Sequence, residues 1–351
     1  MGLFDLLGFG CKKNAQTTDG IVKARSRVDI DSRFERLKTA VSGTMSKFYA
    51  ARDRETGKIV GLKLCDLEKF AFFESRFKGM DKPTEGEIAS VMDHPNIIKT
   101  LEYGRTTKNE PYLVMEFIDG PGLNTLIQQK DLDRLKNKRL SMIRQMAEAL
   151  RYVHQKGFIH RDICPRNFIC SPDLNLVKLI DFGLTVPATE AFMKPGNRTG
   201  TPLYMAPEIV RRRSTDQRLD IFALGVSAYQ LLALDFPWPA GETSGMAALS
   251  HDTSAPRDLL EYRPDLDKNL AALIMHSIQP DPKNRVQTMD AFVAMLQKIP
   301  AEKQGQSGTL DKRLGSDNVA DRSARRSDFI TVIQVSRSKP RYNAQDLLPD
   351  R

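Results

Sequence analysis

The front of the chain alternates between apolar and polar positions, and the back repeats every three or four residues. Short runs at 34–38, 47–52, 58–64 and 111–117 have strand character. Glu55-Thr56-Gly57-Lys58 separates two of them and predicts a hairpin turn. Residues 85–92 place Ile88, Val91 and Met92 at helical spacing. Asp93-His94-Pro95-Asn96 then predicts a stop, because proline disfavours helical backbone in the residue before it. Beyond Gly122 the pattern turns helical. Residues 137–153 align Leu140, Ile143, Met146, Ala147, Leu150 and Val153 on one face. Two apolar segments follow at 168–170 and 176–180, then helices at 220–234, 270–277 and 289–298. A strand-rich front and a helix-rich back predict an α+β fold of two lobes.

The flanks differ. Residues 1–29 are polar and mixed in charge after an apolar start, which predicts a flexible leader. Residues 299–351 read as a basic, flexible tail, with Gln304-Gly305-Gln306-Ser307-Gly308 as a linker. Within it, 329–335 (FITVIQV) has isolated strand character, and Ser323-Ala324-Arg325-Arg326-Ser327 sets hydroxyls beside arginines. The net charge of +9 is spread along the chain, so it predicts solubility, and no specific nucleic-acid partner is expected. The four cysteines, Cys11, Cys65, Cys164 and Cys170, lack metal-ligand spacing and point to a reducing, cytoplasmic setting. No apolar run approaches the roughly 20 residues a membrane span needs. The apolar residues 1–9 followed by Lys12 and Lys13 allow weak peripheral membrane contact, but Leu6 stands where a myristoylation signal carries a hydroxyl.

The chemistry concentrates in three segments: His160-Arg161-Asp162-Ile163-Cys164-Pro165-Arg166-Asn167, Asp181-Phe182-Gly183, and Gly200-Thr201-Pro202-Leu203-Tyr204-Met205-Ala206-Pro207-Glu208. Phosphoryl transfer asks for positioning and charge neutralisation, and Mg²⁺ asks for hard oxygen ligands. Asp162 precedes Asn167 by five residues, so one loop can project both into one cleft. In this order, with Lys63 upstream, the set resembles the protein kinase signature over residues 30–298, nearest the bacterial members of the eukaryotic-like serine/threonine kinases.

That resemblance implies a bilobal kinase fold, with a small β-rich lobe and a larger helical one. It implies transfer of the γ-phosphate of ATP to serine or threonine hydroxyls of a protein substrate, with autophosphorylation. Asp162 would accept the substrate proton, and Asn167 and Asp181 would hold Mg²⁺, or Mn²⁺ in its place. Lys63, in Val60-Gly61-Leu62-Lys63, would contact the α- and β-phosphates, held by Glu85 or by its rival Glu87. Val41, Gly43, Phe48, Gly61 and Ile169 would line the nucleotide, with Ile118 and Glu116 at the adenine and Met115 behind. Glu208 would pair with Arg285, and Asp220 would cap the catalytic loop. Thr201 would lie near Asp162. Arg161 would bind a phosphate on the activation segment, with Thr199 the first acceptor, ahead of Thr189 and Thr185.

The pattern also departs from the family. Val41-Ser42-Gly43-Thr44-Met45-Ser46 keeps one glycine where such kinases carry three, which predicts weaker ATP binding. Cys164 replaces a lysine, and Arg166 replaces a residue that is commonly acidic; Arg166 could supply the lost charge. Gly61 replaces alanine. Cys164 is expected to be a buried, inert thiol; the rival reading is a thiol partly ionised by Arg161 and Arg166 and open to oxidation. The alternative to catalysis is a pseudokinase, a nucleotide-binding or interaction module. The sequence leaves the oligomeric state open.

Overall fold

The computed structural model describes residues 22–42, 46–195, 199–238 and 250–300. The apolar N-terminus and the tail segments singled out above lie outside them. The small lobe is a six-stranded sheet in the order β1-β5-β6-β4-β3-β2. Its strands are β1 Lys23–Val28, β2 Phe34–Ser42, β3 Ser46–Asp53, β4 Ile59–Cys65, β5 Thr100–Thr106 and β6 Pro111–Glu116. The β3–β4 hairpin forms where expected. Gly57 turns it with a positive φ of 70°, a conformation glycine adopts without steric cost. Antiparallel register then sets Phe48 opposite Lys63 and Lys63 opposite Leu113.

The leader expected over 1–29 is corrected by β1. Lys23, Arg25 and Arg27 alternate with Ala24, Ser26 and Val28, and the strand pairs in parallel with β5. A single helical turn, Ile30–Arg33, follows, with Asp29 as its cap. Ile30 and Phe34 join Val60, Leu62, Tyr112 and Val114 in a small apolar cluster distinct from the main core.

The longer helices are α1 Leu67–Ser75, α2 Glu85–Ser90, α3 Leu123–Gln128, α4 Arg139–Gln155, α5 Arg218–Ala233, α6 Lys268–Ser277 and α7 Met289–Gln297. Helix α1 was not legible as a helix; Asp66 caps it by accepting from Lys69 N–H at 3.1 Å. Helix α2 is shorter than the pattern at 85–92 suggests, because Val91 leaves helical geometry, although Met92 stays buried. Helix α5 is apolar on all sides and buried, as a central helix must be. No helix among the described residues is long and apolar enough to cross a membrane. Two small antiparallel pairs complete the helical lobe: β7 Phe158–Ile159 with β10 Val186–Pro187, and the hairpin of β8 Phe168–Cys170 with β9 Val177–Leu179.

Arg285 locks this lobe. Its guanidinium makes two 2.7 Å bonds to Glu208 and donates to the carbonyls of Gln279 at 2.6 Å and Pro280 at 2.8 Å. Both partners are buried, so losing one strands a charge. Arg285→Ala should therefore destabilise the protein by about 3–5 kcal/mol in urea unfolding. A loss below about 1 kcal/mol, the scale of a surface pair, would contradict this.

Candidate active site

Lys63 lies mid-strand on β4 and is only 2% exposed. A buried ammonium needs partners. It has two: Glu85, the first residue of α2, and Asp181 Oδ1 at 2.9 Å. Burial opposes the Lys63 charge, but Asp181 and Glu85 outweigh it and hold the ammonium above its ordinary range. Burial also opposes ionisation of Asp181. Lys63 and the Gly183 N–H, 2.8 Å away, prevail and keep that carboxyl below its usual value. The rival Glu87 is committed elsewhere, accepting from Thr84 N–H at 2.7 Å in a capping box.

The catalytic loop is held from beneath. Asp220, in the first turn of α5, accepts from His160 N–H at 2.7 Å and Arg161 N–H at 2.8 Å, and contacts His154 Nε2 at 3.0 Å. These bonds fix Arg161 at a φ of 70°, a conformation that costs a non-glycine residue of order 1–3 kcal/mol. Asp162 then stands in a set orientation. Its Oδ1 accepts from Thr201 N–H at 3.0 Å and Thr201 Oγ1 at 2.7 Å, and its Oδ2 from Asn167 Nδ2 at 2.9 Å.

Asn167 and Asp181 flank the base of the β8–β9 hairpin, where Ile180 N–H donates to Asn167 O at 3.0 Å. The amide nitrogen of Asn167 is spent on Asp162, with a further bond to Asp162 O at 2.7 Å. The Asn167 side-chain oxygen therefore remains as acceptor, and the Asp181 side chain is 28% exposed. An amide oxygen beside a carboxylate is a donor set that suits Mg²⁺.

Around the nucleotide position, Phe48 lies under the Lys63 ammonium, 5.2 Å from ring centre to Nζ. Met115 is buried, while Ile118 and Ile169 are partly so. Glu116 Oε1 accepts from Lys99 N–H at 2.7 Å and from Lys178 Nζ at 2.5 Å. A Cβ on Gly61 would sit 3.4 Å from Glu116 O, so alanine fits and this departure is mild. Val41 pairs with Phe48 through the backbone, and Gly43 lies outside the described residues.

Arg161 is buried, which pushes its guanidinium down to about 10, with Asp220 opposing and Arg76 adding to the effect. Thr199 is half-buried, whereas Thr185 is fully buried beneath the loop and Thr189 opens the turn Glu190–Met193. Neither His154 nor Gln217, which donates at 3.0 Å to the carbonyls of both His154 and Phe158, stood out in sequence. His154 meets the Asp220 carboxylate and Gln217 holds two backbone carbonyls, contacts that leave no motif.

Cys164 is the buried thiol expected, and its rival redox reading loses support. Cys164 is 1% exposed, and its Sγ faces Thr201 Oγ1 at 3.8 Å. Burial drives the thiol up to about 12, Asp162 adds to this, and Arg166 only partly opposes it. Burial thus favours the inert thiol, because desolvation outweighs the nearby cation. Arg166 itself is exposed and donates from Nη2 to Thr201 Oγ1 at 2.9 Å, placing a cation one hydroxyl away from Asp162.

Residues 34–296 match the sequence model of the protein kinase domain, and the chain belongs to that family. It is 29% identical over 321 residues to serine/threonine-protein kinase pkn3 of Myxococcus xanthus, covering 87% of this chain and 55% of the relative. It is 30% identical over 282 residues to serine/threonine-protein kinase PknB of Mycolicibacterium smegmatis, covering 77% and 43%. With PknB of Mycobacterium leprae the figures are 28% over 264 residues, covering 73% and 41%. The chain thus spans about half the length of these relatives.

Iodoacetamide at about pH 8 should leave Cys164 unmodified in the folded protein and modify it in urea, as read by peptide mass mapping. Labelling in the folded state at the rate of an ordinary exposed thiol would contradict the burial argument.

Proposed function

We propose that this chain is an active serine/threonine protein kinase that transfers the γ-phosphate of MgATP to a protein hydroxyl. The observation that carries this is the Asp162 carboxylate, oriented by Thr201 and Asn167, together with the pair that buried Lys63 makes with Asp181. Lys63 binds the α- and β-phosphates, and Glu85 keeps its ammonium in place. Asn167 and Asp181 hold Mg²⁺, or Mn²⁺ in the same oxygen set. When bound, the metal neutralises charge on the phosphates. Asp162 orients the substrate hydroxyl and accepts its proton. Thr201 fixes the rotamer of Asp162 and restricts the site to serine and threonine. Ile118 and Glu116 offer backbone groups to adenine, above Ile169. Thr199 is the phosphate acceptor served by Arg161. A kinase domain of residues 30–298, a cytoplasmic location and a protein substrate complete this reading. The pseudokinase alternative gains nothing from the site, since Lys63, Asp162, Asn167 and Asp181 are all present.

Exposed Arg166 beside Thr201 also bears on substrate choice. Basic residues just upstream of the target hydroxyl should be disfavoured in a peptide library; a clear arginine preference would count against this role.

The decisive assay is autophosphorylation with MgATP, followed by intact mass. Asp162→Asn keeps the shape of the loop but removes the proton acceptor, so the rate should fall by about 10²–10⁴-fold. A wild-type chain that adds no phosphate, or a variant as fast as wild type, would overturn the assignment.

A further inference from the structure

Residues 22–33 precede the segment matched by the kinase domain, and the mechanism above uses none of them. They are nonetheless built tightly into the small lobe. Ala24 lies opposite Tyr103 and Arg25 opposite Gly104 in the parallel β1–β5 pair. The strands approach so closely that a Cβ on Gly104 would fall 1.9 Å from the Arg25 carbonyl oxygen. Arg25 Nε lies 3.1 Å from Glu102 Oε2. Arg33, at the end of the following turn, is buried between Asp53 and Glu102, with contacts of 2.7–3.2 Å. Tyr112 donates its hydroxyl to Glu102 at 2.7 Å. The segment is therefore fixed to β5 at both ends by paired charges, two of them with buried partners.

β5 carries this constraint toward the active site. Beside Gly104, Tyr103 packs against α2: a Cβ on Gly86 would lie 2.4 Å from Tyr103 Cδ2 and 2.7 Å from Cγ. Gly86 is the residue after Glu85, the partner of Lys63. Helix α2 has only six residues, far too few to hold itself in water, so its position comes from what it packs against. We propose that Tyr103, seated by β1, is a positioning residue that sets Glu85 against Lys63. The N-terminal strand is thus part of the apparatus that aligns the nucleotide-binding lysine.

The kinetic test rests on the kinase assignment; a second readout, amide hydrogen exchange, does not. All variants are made in the full chain. Gly104→Ala sets a methyl against the Arg25 carbonyl and unseats β1. It should lower kcat/KM for ATP by at least about tenfold, as displaced catalytic groups do. Tyr103→Ala should do the same, Tyr103→Phe should restore the rate, and the Gly104→Ala/Tyr103→Ala pair should be no slower than either single variant. In a Glu85→Gln background, Gly104→Ala should change the rate by less than about twofold. Amides of α2 should exchange faster in Gly104→Ala, with those of α4 unchanged. Additive losses, an undiminished effect in Glu85→Gln, or unaltered exchange in α2 would each overturn the proposal. If Gly104→Ala does not fold, the Tyr103 variants, alone and with Glu85→Gln, decide the matter by the same readings. If the wild type transfers no phosphate, the kinase assignment fails, and the exchange result still judges the role of β1.

Discussion

A single buried ammonium organises this molecule. Lys63 has almost no contact with water, and its charge is tolerable only because two carboxylates reach it from different parts of the chain. Glu85 comes from a helix of the small lobe, and Asp181 follows a hairpin of the large one. Removing either anion would leave a stranded charge, which in a protein interior costs far more than a surface pair contributes. The two lobes are therefore tied at the point where phosphate chemistry would take place.

The helical lobe meets this demand with a second buried charge. Asp220 sits within α5, where an unpartnered carboxylate would be costly, and spends itself on the backbone of the catalytic loop. This holds Arg161 in its left-handed conformation and aims Asp162 at Thr201 and Asn167. Arg285 and Glu208 do similar work further down, joining the segment after the activation loop to the chain ahead of α7. Each of these pairs joins residues far apart in sequence, so the site is a product of the whole fold.

Much of this was legible in the chain. The helices α4, α6 and α7 follow from apolar stripes, α5 from a near-continuous apolar run, and β3 and β4 from alternation around a glycine turn. Lys63, Asp162, Asn167 and Asp181 came from a resemblance, and the structure pairs Lys63 with Asp181 and Asp162 with Asn167; the lysine takes Glu85, as expected, while Glu87 caps its helix. β1 was missed because its alternating residues are small or charged, so its polar character outweighed its period. Helix α1 was missed for want of an apolar stripe of helical period, with only Phe73 of its residues buried. Cys164 is buried, as expected, and burial outweighs the neighbouring cations in setting the state of its thiol.

The central claim is that Asp181, held by Lys63, supplies a metal ligand to a bound nucleotide. Calorimetric titration of ATP with and without Mg²⁺, in wild type and in Asp181→Asn, addresses it directly. Mg²⁺ should tighten ATP binding to the wild type and do little for the variant. An equal gain from Mg²⁺ in both proteins would contradict the account.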